Sequence, residues 1–163
     1  MIDTAIHTQP AICAAHPEDA AEILALQKLA YQSEATLYND WTLPPLVQTL
    51  PELQAEFATA TVLKTQLGDQ IVGAVRAVAR DEDGQTVCAI GRLIVHPDYQ
   101  RRGIGSALLH SIEACFPGAA RHVLFTGSKS TANIRLYQHH GYRISHTQRL
   151  SAAVELVFLE KQR

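Results

Sequence analysis

Between Leu93 and Ser106 the chain passes from strand to helix through a turn that holds Pro97, Gly103 and Gly105. A strand ends at Val95 and Pro97 breaks it. Beyond the turn, Ile104, Ala107, Leu108, Ser111, Ile112 and Cys115 fall at i, i+3, i+4, i+7, i+8 and i+11, which predicts an amphipathic helix that Pro117-Gly118 stops. Such a junction presents amide N–H groups without intrahelical partners at the positive end of the helix dipole. Gly103 and Gly105 remove the Cβ atoms that would hold a bulky anion away, and Arg101 and Arg102 add charge and donors. The ligand this suits is a pyrophosphate held by main-chain amides. A glycine-rich helix start with no ligand stays open on this stretch alone. Two other phosphate loops do not fit: the P-loop needs Lys-Ser/Thr after its last glycine, where this chain has Ser106-Ala107, and the dinucleotide fingerprint needs a third glycine.

The elements around this junction limit the fold. Ala11 to Ala15 reads as a first strand. His16-Pro17-Glu18-Asp19 opens a helix with Pro at its first position and the stripe Ile23, Leu26, Ala30. Residues 36–45, with Tyr38, Asn39, Asp40, Trp41 and Pro44-Pro45, read as an irregular aromatic loop before a short helix at Leu50 to Ala58. Strands are expected at Thr59 to Gln66, Gln70 to Arg80 and Thr86 to Val95. Leu67-Gly68-Asp69 and Asp81-Glu82-Asp83-Gly84 would join them as an antiparallel meander. After the amphipathic helix come a strand at His122 to Thr126, a helix at Thr131 to His140 capped by Gly141, and strands at Tyr142 to Gln148 and Ala153 to Glu160. A helix between the strands ending at Val95 and Thr126 implies one parallel pair. The expected class is α/β (α+β): a mixed, mostly antiparallel sheet of about six to seven strands with helices on both faces, in one domain over residues 1–163.

With 163 residues, 47% hydrophobic and 18% charged, the chain can bury a core. A net charge of −2 gives no reason to expect nucleic acid or an anionic membrane as partner. Met1-Ile2-Asp3-Thr4 lacks the basic and apolar regions of a secretory signal, and no apolar run reaches the roughly 20 residues of a membrane helix. Cys13, Cys88 and Cys115 are odd in number, fit no metal spacing, and read as reduced, mostly packed thiols of a cytoplasmic protein. Adjacent His139 and His140 diverge on a helix and do not share an ion, so no metal is expected.

Gln100-Arg101-Arg102-Gly103-Ile104-Gly105 resembles the Gln/Arg-x-x-Gly-x-Gly/Ala loop of the GCN5-related N-acetyltransferase (GNAT) superfamily. Arg92 to Pro97 resembles the strand before that loop, and Pro17-Glu18-Asp19-Ala20 the opening of the first helix. Asn133-Ile134-Arg135-Leu136-Tyr137 through Gly141-Tyr142 is similar to the family's Asn-x-x-x-x-Tyr-x-x-x-Gly-Phe/Tyr motif. The likeness covers nearly the whole chain in order.

The resemblance implies an enzyme that moves the acetyl group of acetyl-CoA to a primary amine of a small molecule or peptide, with room for a homodimer. The alternative is a non-catalytic acyl-CoA-binding module. By resemblance, amides from Arg101 to Ser106 (Arg101, Arg102, Gly103, Ile104, Gly105, Ser106), with Gln100 before them, would hold the pyrophosphate. The Leu93-Ile94-Val95 backbone would pair with the pantetheine arm, and the Leu93 N–H would face the thioester carbonyl. Asn133 would bond the pantetheine region, and Tyr137 would be the acid for the departing thiolate. Some members carry a basic Glu or His on the strand before the loop, but Val87 to Arg92 holds neither. Glu34, placed at the end of the first helix, becomes the candidate base, with Tyr31, Tyr38 and Trp41 on the acceptor wall.

Overall fold

The structure, a computed structural model, describes residues 11–163; Met1 to Thr4, read above for a leader, lie outside the described residues. Strand β1 (Ile12–Ala14) is followed by a short 3-10 turn at Pro17–Asp19 and helix α1 (Ala20–Ala30). Helices α2 (Gln32–Tyr38), α3 (Pro44–Val47) and α4 (Leu50–Glu56) lead to β2 (Thr61–Leu67), β3 (Gln70–Glu82) and β4 (Gln85–Val95). Then come α5 (Ile104–Ala114), β5 (Arg121–Gly127), α6 (Thr131–His139), β6 (Arg143–Arg149) and β7 (Glu155–Gln162). The described strands form one sheet in the order β1-β2-β3-β4-β5-β7-β6. Every neighbouring pair is antiparallel except β4 and β5, so the expected single parallel pair is present.

Local chemistry explains the joints. The β3–β4 hairpin turns on Asp83 and Gly84, both at positive φ (53° and 80°), the conformation a two-residue primed turn requires. Gly141 follows α6 at φ 91°, the left-handed cap expected of it. Two expectations change. Residues 36–38 and Pro44-Pro45 are helical rather than irregular, and Glu34 lies in the first turn of a separate helix, because the α1 path breaks at Tyr31 and restarts as α2. Asn39, at φ 49°, then ends α2.

Two layers of side chains cover the sheet. On one face Ile104, Leu108, Leu109 and Ile112 of α5 and Tyr137 of α6 pack on Cys88, Ile90, Leu124 and Leu159. On the other, Ile23, Leu24 and Leu26 of α1 and Leu53 of α4 pack on Ile71, Ala74 and Ile94. Cys88 is the one buried cysteine; Cys13 and Cys115 are exposed free thiols, against the expectation of mostly packed ones. Cys115 lies just past the last turn of α5, where the helical stripe no longer reaches the sheet. Strand β6, at the sheet's edge, is exposed along its whole length.

Strand β4 changes face part-way. Cys88 and Ile90 point toward α5, yet Ile94, of the same parity, points toward α1. The cause is a β-bulge: Ala74 pairs with Ile94 but Arg76 with Gly91, so Arg92 and Leu93 oppose Val75 alone. Arg92 absorbs the bulge at φ 50°.

Helix α5 lies close to β3 because Gly73 has no side chain. A Cβ there would stand 2.9 Å from Leu108 Cδ1, 3.0 Å from Thr65 Cγ2 and 3.1 Å from Ile104 Cγ2. Gly73→Val is therefore expected to destabilise the fold by about 1–3 kcal/mol through overpacking. Urea denaturation with an unchanged m-value would measure it, and parental stability would show that α5 can lift away at no cost.

Candidate active site

Strands β4 and β5 pair only over Val87–Ala89 and Arg121–Val123. Beyond that point Ile90 to Val95 and Leu124 to Gly127 diverge, and a cavity of about 520 Å³ opens between them. Its floor is the backbone of Ile90 to Val95 and Leu124 to Gly127. Gln100, Arg101 and Gly105 line one end, Asn133, Leu136 and Tyr137 one side, and Tyr31, Glu34, Tyr38 and Leu43 to Pro45 the other. Main-chain groups of both strands thus face a space rather than a ladder, the condition under which an extended ligand can be added as a strand.

The glycine turn closes one end. Arg101 and Gly103 both take the left-handed conformation (φ 63° and 82°), and no side chain caps the first turn of α5. The amides of Ile104, Gly105 and Ser106 have no carbonyl four residues back within the helix. A Cβ on Gly105 would meet only ordinary contacts, 3.6 Å from Leu136 and 3.8 Å from Val95. The arginine pair divides: Arg101 lines the cavity, whereas Arg102 stacks 5.1 Å from the Tyr99 ring centroid and does not. Gly103, Ile104 and Ser106 do not line it either; Ile104 is buried in the core, and Ser106 Oγ lies 2.9 Å from His140 Nε2. Gln100 donates from Nε2 to the Val95 carbonyl at 3.4 Å.

The side walls carry the polar groups. Asn133 Nδ2 donates to Thr126 Oγ1 at 3.3 Å, and one turn further along α6 stands Tyr137, 7% exposed. Burial pushes the Tyr137 phenol well above its ordinary range, so it is protonated at neutral pH. Opposite, Tyr38 lies over Gly127. Its hydroxyl accepts from the Lys129 amide at 2.9 Å and lies 3.0 Å from Ser130 Oγ, which donates to Glu34 Oε2 at 2.6 Å. The Ser130 proton goes to Glu34, so Tyr38 donates to Ser130. Behind this wall, buried Arg76 pairs with Glu56 at 2.8 Å and donates to Gln27 Oε1 and Gln48 Oε1. Burial lowers its pKa to about 10.

The cavity gathers most of the expected residues. Leu93, Ile94, Val95, Gln100, Arg101, Gly105, Asn133, Tyr137, Tyr31, Glu34 and Tyr38 all line it. Trp41 does not: it is 54% exposed, beyond the turn that ends α2, and is no part of the wall. Arg92 and Ser130 were not expected. Ser130 precedes α6, where a serine reads as a helix cap, but it makes no cap bond and serves Glu34 instead. Among the described residues no group of three His, Cys, Asp or Glu side chains is placed to hold a metal ion. No helix among them is long and apolar enough to cross a membrane.

The family model of the acetyltransferase (GNAT) domain matches residues 57–144, more than half of the chain. The chain belongs to the GNAT acetyltransferase family, whose reaction is acetyl-CoA-dependent acyl transfer. The UPF0157 protein YqkA of Bacillus subtilis is 30% identical over 128 residues, covering 78% of this chain and 36% of that protein. Mycothiol acetyltransferase of Renibacterium salmoninarum is 29% identical over 99 residues, covering 58% of this chain and 29% of that protein. The chain thus spans about a third of the length of these curated relatives. YncA from Salmonella typhimurium, solved with its cofactor acetyl-CoA, shares the fold at a TM-score of 0.71 and 23% identity, over 95% of this chain and 94% of that one.

Gly127 is the steric key to the Tyr38 wall. A Cβ there would fall 1.9 Å from the Tyr38 hydroxyl oxygen. Gly127→Ala is expected to cost about 1–3 kcal/mol in the parent and less than about 0.5 kcal/mol in a Tyr38→Leu background. A double-mutant cycle by denaturant unfolding reads the coupling, and equal costs in both backgrounds would separate the two residues.

Proposed function

We propose that this chain transfers the acetyl group of acetyl-CoA to a primary amine by direct attack in a ternary complex. The observation that carries this is the gap between β4 and β5, with an uncapped, glycine-lined helix start at one end and Tyr137 on its side. The α5 amides and Arg101 suit the pyrophosphate. The unpaired edge of Leu93 to Val95 suits the amide-bearing pantetheine arm, and Asn133 lies along its path. The Leu93 N–H is the donor available to the thioester carbonyl as charge develops there.

The amine enters from the α2–α3 wall. Attack forms the amide C–N bond and breaks the C–S bond. The amine's proton passes to Glu34, directly or through water, and the thiolate takes a proton from Tyr137. Ser130 holds one Glu34 oxygen, so the other is directed to the substrate. A phenol raised by burial is a weaker acid than free tyrosine, but it stays protonated wherever the amine is neutral enough to attack.

Free thiol release from acetyl-CoA, measured against a panel of amines, tests the reading. Amine-dependent release supports it, whereas tight acetyl-CoA binding with no release for any amine would leave a binding module. With an active acceptor and chemistry rate-limiting, Tyr137→Phe is expected to lower kcat about 10–100-fold and change KM for acetyl-CoA by less than about threefold. An unchanged kcat would reduce Tyr137 to packing.

Glu34→Gln is expected to lower turnover most below the pKa of the acceptor amine, where a proton must still be removed. The difference should shrink as pH rises and the free amine prevails. A pH–rate profile parallel to the parent's would eliminate Glu34 as base.

A further inference from the structure

The cavity wall holds a cation for which the transfer chemistry has no use. Arg92 lines the cavity upstream of Leu93, at the end away from the pyrophosphate turn. Its Nε is buried and has no hydrogen-bond partner among the described residues. None of the ion pairs among them includes Arg92; Arg76 close by, in contrast, is matched by Glu56. A guanidinium partly withdrawn from water with its buried Nε donor unused is costly until an anion meets it.

The bulge gives this arginine its position. With regular alternation, residue 92 would share the α5 face with Cys88 and Ile90, among apolar side chains. The extra residue turns the following positions over, so Ile94 faces α1. The backbone pays for the change at Arg92 itself, in a left-handed conformation that glycine would take freely, although Gly91 stands immediately before it. Burial raises the pKa of the Tyr31 hydroxyl; Arg92 offsets this through its charge and a side-chain hydrogen bond, and the Glu34 carboxylate adds to it. One cation and one carboxylate therefore stand around a single point on the acceptor wall.

We propose that Arg92 binds a carboxylate on the acceptor, so that the substrate class is amines carrying a carboxylate a few bonds away, as free amino acids do. The inference rests on the transfer reading above and names its substrate. Glu34 faces the amine while the guanidinium takes the carboxylate as a two-pronged hydrogen-bonded pair. Arg101 is occupied with the phosphate end and does not compete.

The test uses matched ligands. As acceptors, α-, β- and γ-amino acids are compared with their primary amides. As product-side ligands, N-acetyl amino acids are compared with N-acetyl amino-acid amides by calorimetry in the presence of coenzyme A. The acid is expected to exceed its amide by at least about tenfold in kcat/KM and in affinity. Arg92→Gly, which suits φ 50°, should reduce both preferences to within about twofold and leave the coenzyme A affinity within about threefold. Arg92→Lys, keeping charge without the fork, should fall between. Equal use of acids and amides by the parent, or a preference that survives Arg92→Gly, would overturn the assignment. If no acceptor is acetylated but N-acetyl acids still bind about tenfold better through Arg92, the carboxylate site stands and the transfer reading falls.

Discussion

Backbone amides and carbonyls inside a protein must find partners, and between its two edges the sheet satisfies that demand except along the diverging halves of β4 and β5. Only Val87–Ala89 and Arg121–Val123 hold the parallel pair together. The bulge at Arg92 and Leu93 increases the local twist of β4 and lets its end follow β3 while β5 keeps to β7. Everything that gives the cavity its chemistry depends on this separation. It exposes the β4 edge, leaves the first turn of α5 open at one end, and lets α6 bring Asn133 and Tyr137 alongside.

The two walls are stiff for different reasons. The α5–α6 side is fixed by apolar packing, with Gly73 allowing α5 to settle on β3 and Ser106 tied to His140 across the helix ends. The α2–α3 side buries a smaller apolar cluster, Tyr38 and Leu43 against Val154, and polar contacts help to locate it. Tyr38, Ser130 and Glu34 form one hydrogen-bonded chain across it, and Arg76 gathers Glu56, Gln27 and Gln48 beneath. Gln27 also donates to the Pro45 carbonyl at 2.8 Å and so pins α3 to α1. A wall held by hydrogen bonds permits little drift of the groups it presents.

Local pattern made much of this legible. The glycines at 103 and 105, the stripe of α5, the hairpin turns and the Asn133 to Gly141 stretch each depend on neighbours in sequence, and each stands where the chain alone suggests. What was illegible depends on distant partners. The break at Tyr31 has no proline or glycine to announce it, and Trp41 looked like an acceptor-wall aromatic until the turn at Asn39 carried it outward. Ser130 gives no local signal of its role because its partners, Glu34 and Tyr38, lie more than 90 positions away. Arg92 gives no signal at all, since a bulge is a property of paired strands and only the register with β3 reveals it.

The sheet's far edge sets a condition for the molecule's survival in a crowded solution. Strand β6 ends the sheet with one row of unpaired backbone groups and no helix over it, an open template for another chain's strand. Its sequence, Arg143-Ile144-Ser145-His146-Thr147-Gln148-Arg149, places a cation at each end and a single large apolar residue between. The register with β7 slips between Ile144 and His146, which twists the edge away from a flat template. An incoming strand would have to desolvate two arginines and follow a bent ladder, so protection against fibril-like growth is built into the residues that touch the cavity least.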